Sequence, residues 1–480
     1  MLADGRLGLA VEWACSRGAA YADARYVERE HESVTLKDGE VESADRSNDR
    51  GVGLRVLRDG AWGFAASDRT DEASLRGLVG EALERAAAAQ AGGLARREVR
   101  LAPEVPQHGT YRTPFVVDPF AVPHAVRIAL LREADAALRG PSTRLRRAGV
   151  DAHRTRKRLV TSEGTDVTQE IVECGSTLTT VAVAAGARPA SRGDMRNACQ
   201  SGWEYVEAQD LPGRAARYRD EAHATLLAPR LEGARPTTLV FDPSFLALLV
   251  HESCGHPTES DRLLEHEVAF AGTTFLEPED RGTLRYGSPH VSLTADATLP
   301  GGMGTFGWDD DGVPARRTPL VERGIFTGYL TSRETAGALG MPRSGGSARA
   351  EGWQHFPIVR MVNVSLEPGP LRYDELLHDV GDGILMLAPA SYSLDDKRQN
   401  CHFTAQACRV IRNGQLEGWL QPIGFQSLTP AFWGRCDGVA DDWELHGFVS
   451  CAKGEPLQLM RVGHGAAHAR FRDVPIEVGE

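Results

Sequence analysis

The chain has 480 residues, of which 41% are hydrophobic and 25% charged. This composition is typical of a globular protein and excludes a disordered or fibrous one. Because 54 Lys and Arg face 66 Asp and Glu, the formal net charge is −12, and attraction to nucleic acid or an anionic membrane is not expected. Eight scattered cysteines, no signal-peptide pattern and no long apolar run together predict a cytoplasmic protein with reduced thiols and no membrane span.

The first half of the chain alternates helical and strand patterns. Apolar residues recur at helical spacing over 6–18, 71–91 and about 118–139, whereas the segment between the first two alternates like strands. Hairpin turns are predicted at Asp38-Gly39 and Asp59-Gly60. We therefore predict an α+β fold that begins with a mixed N-terminal domain, residues 1–229, of antiparallel strands and packed helices.

The second half has a different pattern. The stretch 209–236 is polar, rich in arginine and interrupted by prolines, and it leads into the apolar sequence TTLVFDPSFLALLVHESCGH. Beyond it, many short strand-like runs are separated by Gly and Asp turns. We place the domain boundary at about 230 and predict a β-rich C-terminal domain, residues 230–480.

The informative motif is HExxxH, formed by His251, Glu252 and His256. In a regular helix, positions i and i+5 lie roughly 140° apart, so both imidazoles could not reach one ion. A π-type turn has i→i+5 periodicity and restores a common face. Because Gly255 has no Cβ, it suits such a distortion. The motif therefore predicts an irregular helix.

The position of Glu252 directly after the first histidine suits hydrolysis by a metal ion. A carboxylate beside the metal takes a proton from the attacking water and later delivers it to the leaving amine. His-Glu pairs also occur at His31-Glu32 and His266-Glu267, so the motif alone does not decide the function.

A catalytic zinc requires three protein ligands and one open position, so a third ligand must lie elsewhere in the chain. From the residues alone, the candidates are Cys254, His266, Cys451 and the pair His464 and His468. This pair also has helix-compatible spacing, which would indicate a second metal site.

Several segments in order resemble the TldD/PmbA family of bacterial metallopeptidases, in its metal-bearing TldD-type branch. They are HESCGHPTESD, DDDGVP, LVERGIFTGYLTSRETAGALG, FPIVRMVN and SCAKGE, together with SVTLKDGEVESADRSNDRGVGLRVLRDGAWGFA near the N-terminus. The resemblance implies Zn²⁺ held by His251, His256 and Cys451, with Glu252 as general base. It also implies a dimer that encloses the site, either a homodimer or a heterodimer with a metal-less sister chain, acting on unfolded or modified peptides.

Three further residues are singled out beside this resemblance. Lys453 follows Cys451 in SCAKGEP, and we expect it to help hold a thiolate. His355 and Arg360 lie in a segment that the resemblance assigns to the active-site domain, and we predict that they lie near the substrate.

The sequence departs from the family pattern in three places. Ala388-Pro389 is followed by ASYSLDDKRQN instead of a glycine-rich run, Ala407 stands where a glutamate is common, and Ser260-Asp261 replaces Gly-Asp. We expect all three to lie in the half that shapes the substrate cleft. The resemblance is therefore a better guide to the zinc chemistry than to the substrate.

The main hypothesis is therefore zinc-dependent hydrolysis of an amide bond in an unfolded or modified peptide. One alternative is an N-deacylase or amidohydrolase that acts on a small-molecule intermediate of a biosynthetic pathway. A second alternative is a non-catalytic dimer partner of an active sister chain.

Overall fold

The computed structural model describes residues 5–93, 98–194, 197–269 and 272–478. The architecture is α+β, as predicted: helices pack on a large N-terminal sheet, and the C-terminal part is built mainly from strands. No helix within the described ranges is long and apolar enough to cross a membrane.

The N-terminal sheet has eight strands, and its main path runs β3-β2-β1-β5-β6-β4, with β7 and β8 also paired to β6. All neighbours are antiparallel except β4 and β6, which are parallel. The strands are β1 (Tyr21–Lys37), β2 (Glu40–Arg58), β3 (Ala61–Ser67), β4 (His108–Arg112), β5 (Thr143–Thr161), β6 (Asp166–Ala182), β7 (Ala190–Gly193) and β8 (Asn197–Cys199).

Both predicted hairpin turns are present. Asp38 and Gly39 have φ values of 51° and 92°, and Asp59 and Gly60 have values of 50° and 77°. Positive φ at both central residues is the geometry of the tight turn that suits the twist of two antiparallel strands, and Asp-Gly supplies it at little cost.

Two groups of helices cover this sheet, one packed on the half that contains β2 and β3 and the other on the half that contains β5 and β6. The helices are α1 (Arg6–Ser16), α2 (Glu72–Ala91), α3 (His124–Leu138), α4 (Trp203–Ala208) and α5 (Leu211–Leu227). The helix predicted over 118–139 is shorter than expected. A 3₁₀ turn over Pro119–Ala121 precedes it, and Pro123 forms its N-cap, because proline restricts the residue before it to extended backbone.

The C-terminal part contains a second eight-stranded sheet in the order β20-β23-β9-β16-β17-β19-β24, with β18 on β17. A four-stranded sheet (β12-β11-β10-β15) and the pairs β13-β14 and β21-β22 lie around it. The strands are β9 (Thr237–Phe241), β10 (Leu293–Asp296), β11 (Arg317–Glu322), β12 (Ile325–Phe326), β13 (Ala348–Arg349), β14 (Ile358–Val359), β15 (Val364–Leu366), β16 (Gly383–Leu394), β17 (Asn400–Arg412), β18 (Gln415–Leu420), β19 (Ile423–Leu428), β20 (Cys436–Val439), β21 (Glu444–Lys453), β22 (Gln458–Ala466), β23 (Ala469–Val474) and β24 (Ile476–Val478).

Short helices connect these strands: α6 (Pro243–Val250), α7 (Ser260–Leu263), α8 (Arg333–Ala338), α9 (Tyr373–His378) and α10 (Thr429–Gly434). Helix α6 is buried along its whole length except at Ser244 and packs against β15, β16 and β22. Around it lies the main core of the C-terminal part, in which the rings of Phe241, Phe425, Phe432 and Phe471 contact one another. This core fixes the end of α6.

A buried ion cluster joins the two halves of the chain. Arg55 of β2 contacts Asp23 at 2.7 Å and Asp311 of the C-terminal part at 2.8 Å, and all three side chains are buried. Lys157 of β5 reaches the neighbouring Asp310 at 2.6 Å. Two of the three carboxylates of the DDDG turn therefore pair with cations of the N-terminal sheet.

We expect Arg55→Ala to destabilise the fold by about 3–5 kcal/mol, because it leaves two buried carboxylates without their cation. The midpoint of urea denaturation, followed by circular dichroism, measures the change. Arg100→Ala, which removes an exposed partner of Glu98, is the matched control and should shift stability by less than about 0.5 kcal/mol. Equal effects of the two substitutions would contradict the role of the cluster.

Candidate metal centre

The HExxxH motif lies where a regular helix turns into a π-helix. Asp242 caps the start of α6 by accepting a hydrogen bond from the Phe245 amide at 2.8 Å, and Pro243 occupies the first turn. The helix then continues as a π-helical turn over His251–Gly255 and a 3₁₀ turn over His256–Thr258. The predicted irregular helix is present at the predicted place.

Position 255 requires glycine because a side chain would not fit there, and not because of its backbone conformation. Its φ of −66° is ordinary for any residue, but a Cβ at this position would lie 2.0 Å from Met361 Sδ. Both residues are buried. The absent side chain thus lets the π-turn pack against Met361.

The structure brings His251, His256 and Cys451 together. One donor atom from each lies within 4.8 Å of the others, and Cys451 Sγ is 3.8 Å from His256 Nε2. The two imidazole rings are nearly perpendicular, with centroids 4.8 Å apart. Three donors at these separations converge on a volume that one cation could fill.

The other candidates for a third ligand lie elsewhere. The Cys254 thiol lies in the C-terminal core beside the Ser253 hydroxyl, and burial raises its pKa far above the ordinary value. His266 is exposed. His468 hydrogen-bonds to Asp442 at 2.7 Å. His464 and His468 lie on β22 and just before β23 rather than on a helix, so the spacing that suggested a shared second metal site does not bring them together.

His464 instead lies directly behind His251. His464 Nδ1 donates to the Val364 carbonyl at 2.8 Å, and His464 Nε2 lies 2.7 Å from His251 Nδ1. Burial lowers the pKa of His464 well below its ordinary value, so the ring is neutral and its Nε2 accepts. His251 Nδ1 must then carry the proton, which leaves the His251 Nε2 lone pair for a metal.

A carboxylate fixes which nitrogen of the second imidazole carries the proton. Glu259 Oε2 lies 2.9 Å from His256 Nδ1 and accepts a hydrogen bond from its N–H group. His256 Nε2, the atom that faces Cys451, is then left to coordinate a metal. Burial alone would raise the pKa of Glu259, but Lys453, His256 and Arg262 hold it well below its usual range. Glu259 thus stays ionised although it is fully buried.

The role expected of Lys453 needs correction. Its ammonium lies 2.7 Å from Asp261 Oδ1 and 3.3 Å from Glu259, on the side of His256, rather than against the Cys451 thiol. Burial would raise the pKa of Cys451, but the charges of Arg360 and His256 lower it overall. Arg360, not Lys453, is therefore the main cation that favours the thiolate.

The segment after Pro389, which departs from the family pattern, lies beside the HExxxH motif. Tyr392 of β16 stacks on Phe403 with a centroid distance of 6.0 Å. Burial and the neighbouring Glu252 carboxylate, to which its hydroxyl hydrogen-bonds, raise the pKa of Tyr392 to about 12. The charge of Arg398, from the same hairpin, also acts on Glu252. ASYSLDDKRQN thus lies beside the predicted general base.

The two residues predicted near the substrate occupy different environments. Arg360 is fully buried and donates to the carbonyls of Cys451 and Gln458. His355 is partly exposed, and its carbonyl accepts from Arg25 of the N-terminal sheet at 2.7 Å. Their contact with substrate stays a prediction, whereas Arg360 visibly braces the strand that carries Cys451.

Two residues of the site were not predicted. No role is predicted for Glu259 from the sequence, although its position three residues after His256 is the i, i+3 spacing at which helical side chains meet. His464 was considered as a metal ligand and not as a support for one. No local signal could have revealed that role, because His251 and His464 are 213 positions apart.

Family profiles and relatives of known sequence match nearly the whole chain. Profiles of the PmbA/TldA metallopeptidase domain 1, central domain and C-terminal domain match residues 22–89, 117–222 and 234–477. A protein of Methanothermobacter thermautotrophicus named metalloprotease is 30% identical over 458 residues, and one of Synechocystis named metalloprotease slr0863 is 31% identical over 466. Each alignment covers 95% of both chains.

Solved structures agree on the fold. A Thermotoga maritima protein described as a putative modulator of a DNA gyrase superimposes with a TM-score of 0.79 at 15% identity, over 98% of this chain and 99% of that one. TldE from Thermococcus kodakarensis gives 0.76 at 16% identity, over 98% and 100%. The profiles, the full-length relatives and a metal-donor cluster on the expected residues lead to one conclusion: this chain belongs to the PmbA/TldA metallopeptidase family.

Proposed function

We propose that the protein hydrolyses an amide bond with a zinc ion held by His251, His256 and Cys451, most simply in an unfolded or modified peptide. The observation that carries this proposal is the convergence of these three donors within 4.8 Å. Two imidazoles and a thiolate are donors that suit Zn²⁺, and three protein ligands leave a fourth position for chemistry. Burial lowers the pKa of both histidines, so their lone pairs are available at neutral pH.

Glu252 supplies the acid–base chemistry in this proposal. When bound, zinc lowers the pKa of water towards about 7 and polarises a carbonyl. The Glu252 carboxylate takes the proton of the attacking water and returns it to the leaving amine. The Tyr392 hydroxyl donates a hydrogen bond to Glu252 and so helps to hold this carboxylate in place.

A second candidate function is N-deacylation of a small amide. It is favoured by the segment after Pro389, which departs from the family pattern and carries Tyr392 to Glu252. Incubation of the purified chain with unstructured peptides and with N-acyl amino compounds separates the two substrate classes. A non-catalytic partner would cleave neither, and the retention of three metal donors together with Glu252 speaks against it.

The assembly is also part of the proposal. We propose a dimer that encloses the cleft, formed with a second copy or with a metal-less sister chain. Tyr392, which contacts Glu252, and Leu428 of the same sheet expose about half of their surface, 46% and 51%, which supports a face that a partner covers. Analytical ultracentrifugation of the purified chain distinguishes the two assemblies. A homodimer sediments as a dimer, whereas a chain that pairs only with a sister chain sediments as a monomer.

Glu252→Gln should retain zinc and lose most turnover, because the amide keeps the shape of the side chain but cannot accept the proton. We expect kcat to fall at least about 100-fold. Zinc content by mass spectrometry and turnover of the preferred substrate are the two measurements. Full activity of this variant would refute the general-base assignment.

Cys451→Ser should lose the zinc of this centre, because a hydroxyl replaces the thiolate ligand. The matched control is Cys254→Ser, which alters a buried cysteine inside the motif but outside the donor cluster and should keep its zinc. Metal content after purification without chelator is the readout. Equal zinc in Cys451→Ser and wild type would exclude Cys451 as a ligand.

His464→Gln should weaken zinc binding about 10- to 100-fold, which is typical for loss of a group that orients a metal-ligating histidine. Competition with a chromophoric chelator measures the affinity directly. His468→Gln is the control, because His468 bonds to Asp442 and lies outside the donor cluster. If both variants bind zinc as wild type does, His464 does not orient His251.

A further inference from the structure

A second group of metal-binding side chains lies on the N-terminal sheet, apart from the HExxxH centre. His31 of β1, and Asp151 and His153 of β5, each offer a donor atom, and these atoms lie within 4.8 Å of one another. The pairing of the strands explains the convergence. His31 lies directly opposite His153, and Asp151 is two residues before His153 on the same face of the sheet.

A third strand extends the same row. Glu173 of β6 is the register partner of His153, so His31, His153 and Glu173 stand side by side across three neighbouring strands. Glu173 and Asp151 are buried, and the two histidines are partly buried. Two imidazoles and two carboxylates therefore occupy one patch of a rigid sheet.

The patch faces a cavity between the two halves of the chain. The cavity has a volume of about 310 Å³, and His31, His153, Glu173, Arg349, Leu459 and Arg461 contribute to its walls. Leu459, Met460 and Arg461 of β22 contribute to its walls, and Met460 is the register partner of Cys451. The described residues that line the cavity include neither His251, His256 nor Cys451, so it is a site apart from the HExxxH centre with room for water or a small ligand.

We propose that His31, Asp151 and His153 form a second metal site, which takes a divalent transition metal of the zinc or nickel type, with Glu173 available as a fourth ligand. Imidazole and carboxylate donors without sulfur suit such ions.

The arrangement of the two imidazole rings is compatible with coordination. The two rings stack with centroids 4.0 Å apart at 22°. Because the final torsion of histidine is broad, a rotation of each ring turns its nitrogen towards a shared point.

Positively charged side chains around the cavity disfavour the binding of a cation, but most of them already pair with carboxylates. Arg29 pairs with Asp49, Arg154 with Asp118 and Lys157 with Asp310, each at 2.6–2.7 Å. Arg349 donates to the Met361 carbonyl. Arg461 is the direct competitor, because it lies 2.5 Å from Glu173 and 3.7 Å from Asp151. Removal of its charge should therefore strengthen metal binding.

Equilibrium dialysis of the full chain against micromolar free Zn²⁺ tests the site, with bound metal counted by mass spectrometry. His153→Gln and His31→Gln should each bind one zinc per chain fewer than wild type, and His290→Gln, which removes an exposed histidine elsewhere, should bind the same amount. Arg461→Gln should lower the zinc concentration needed for half-occupancy several-fold. If His153→Gln and His31→Gln both bind as much zinc as wild type, the proposal is overturned.

Cobalt provides a test that leaves the histidines intact. In Cys451→Ser, Co²⁺ should still produce weak d–d absorption from a nitrogen and oxygen site, without the intense thiolate-to-cobalt band of the HExxxH centre. Absence of any d–d absorption in this variant would overturn the proposal even if the histidine variants failed to fold.

Discussion

The site depends on one constraint: two imidazoles five positions apart must reach the same point. A regular helix would direct them roughly 140° apart, and the π-turn over His251–Gly255 removes this mismatch. The turn can form because Gly255 leaves space for Met361. The buried helix α6 anchors the turn, so the core supports the backbone distortion.

Buried charge is balanced around the second imidazole. The carboxylates of Glu259 and Asp261 face the cations of Arg262 and Lys453, so two negative charges meet two positive ones. A buried carboxylate without such partners would take up a proton. The pairing keeps Glu259 ionised, so it can fix the proton on His256 Nδ1 and leave the other nitrogen to coordinate.

The β21–β22 hairpin connects the metal centre to the N-terminal sheet. One face carries Cys451 and Phe448, and Phe448 stacks on His251 with centroids 5.4 Å apart. The other face carries Arg461, which reaches Glu173 and Asp151. The same hairpin therefore contacts both the HExxxH centre and the cavity between the two halves of the chain.

The sequence by itself determined the features that depend on a few neighbouring residues. The Asp-Gly turns, the long helices and the irregular HExxxH helix follow from backbone conformation and helical periodicity, which act over about five residues. The ligand set was different, because the residues alone left several third ligands open and the family resemblance selected Cys451. Only the tertiary structure decided that His464 orients His251, that Lys453 pairs with Asp261, that Arg360 is buried behind Cys451 and that Tyr392 lies beside Glu252. These contacts join residues more than ninety positions apart, and their geometry is fixed by how sheets and helices pack, which no local pattern records.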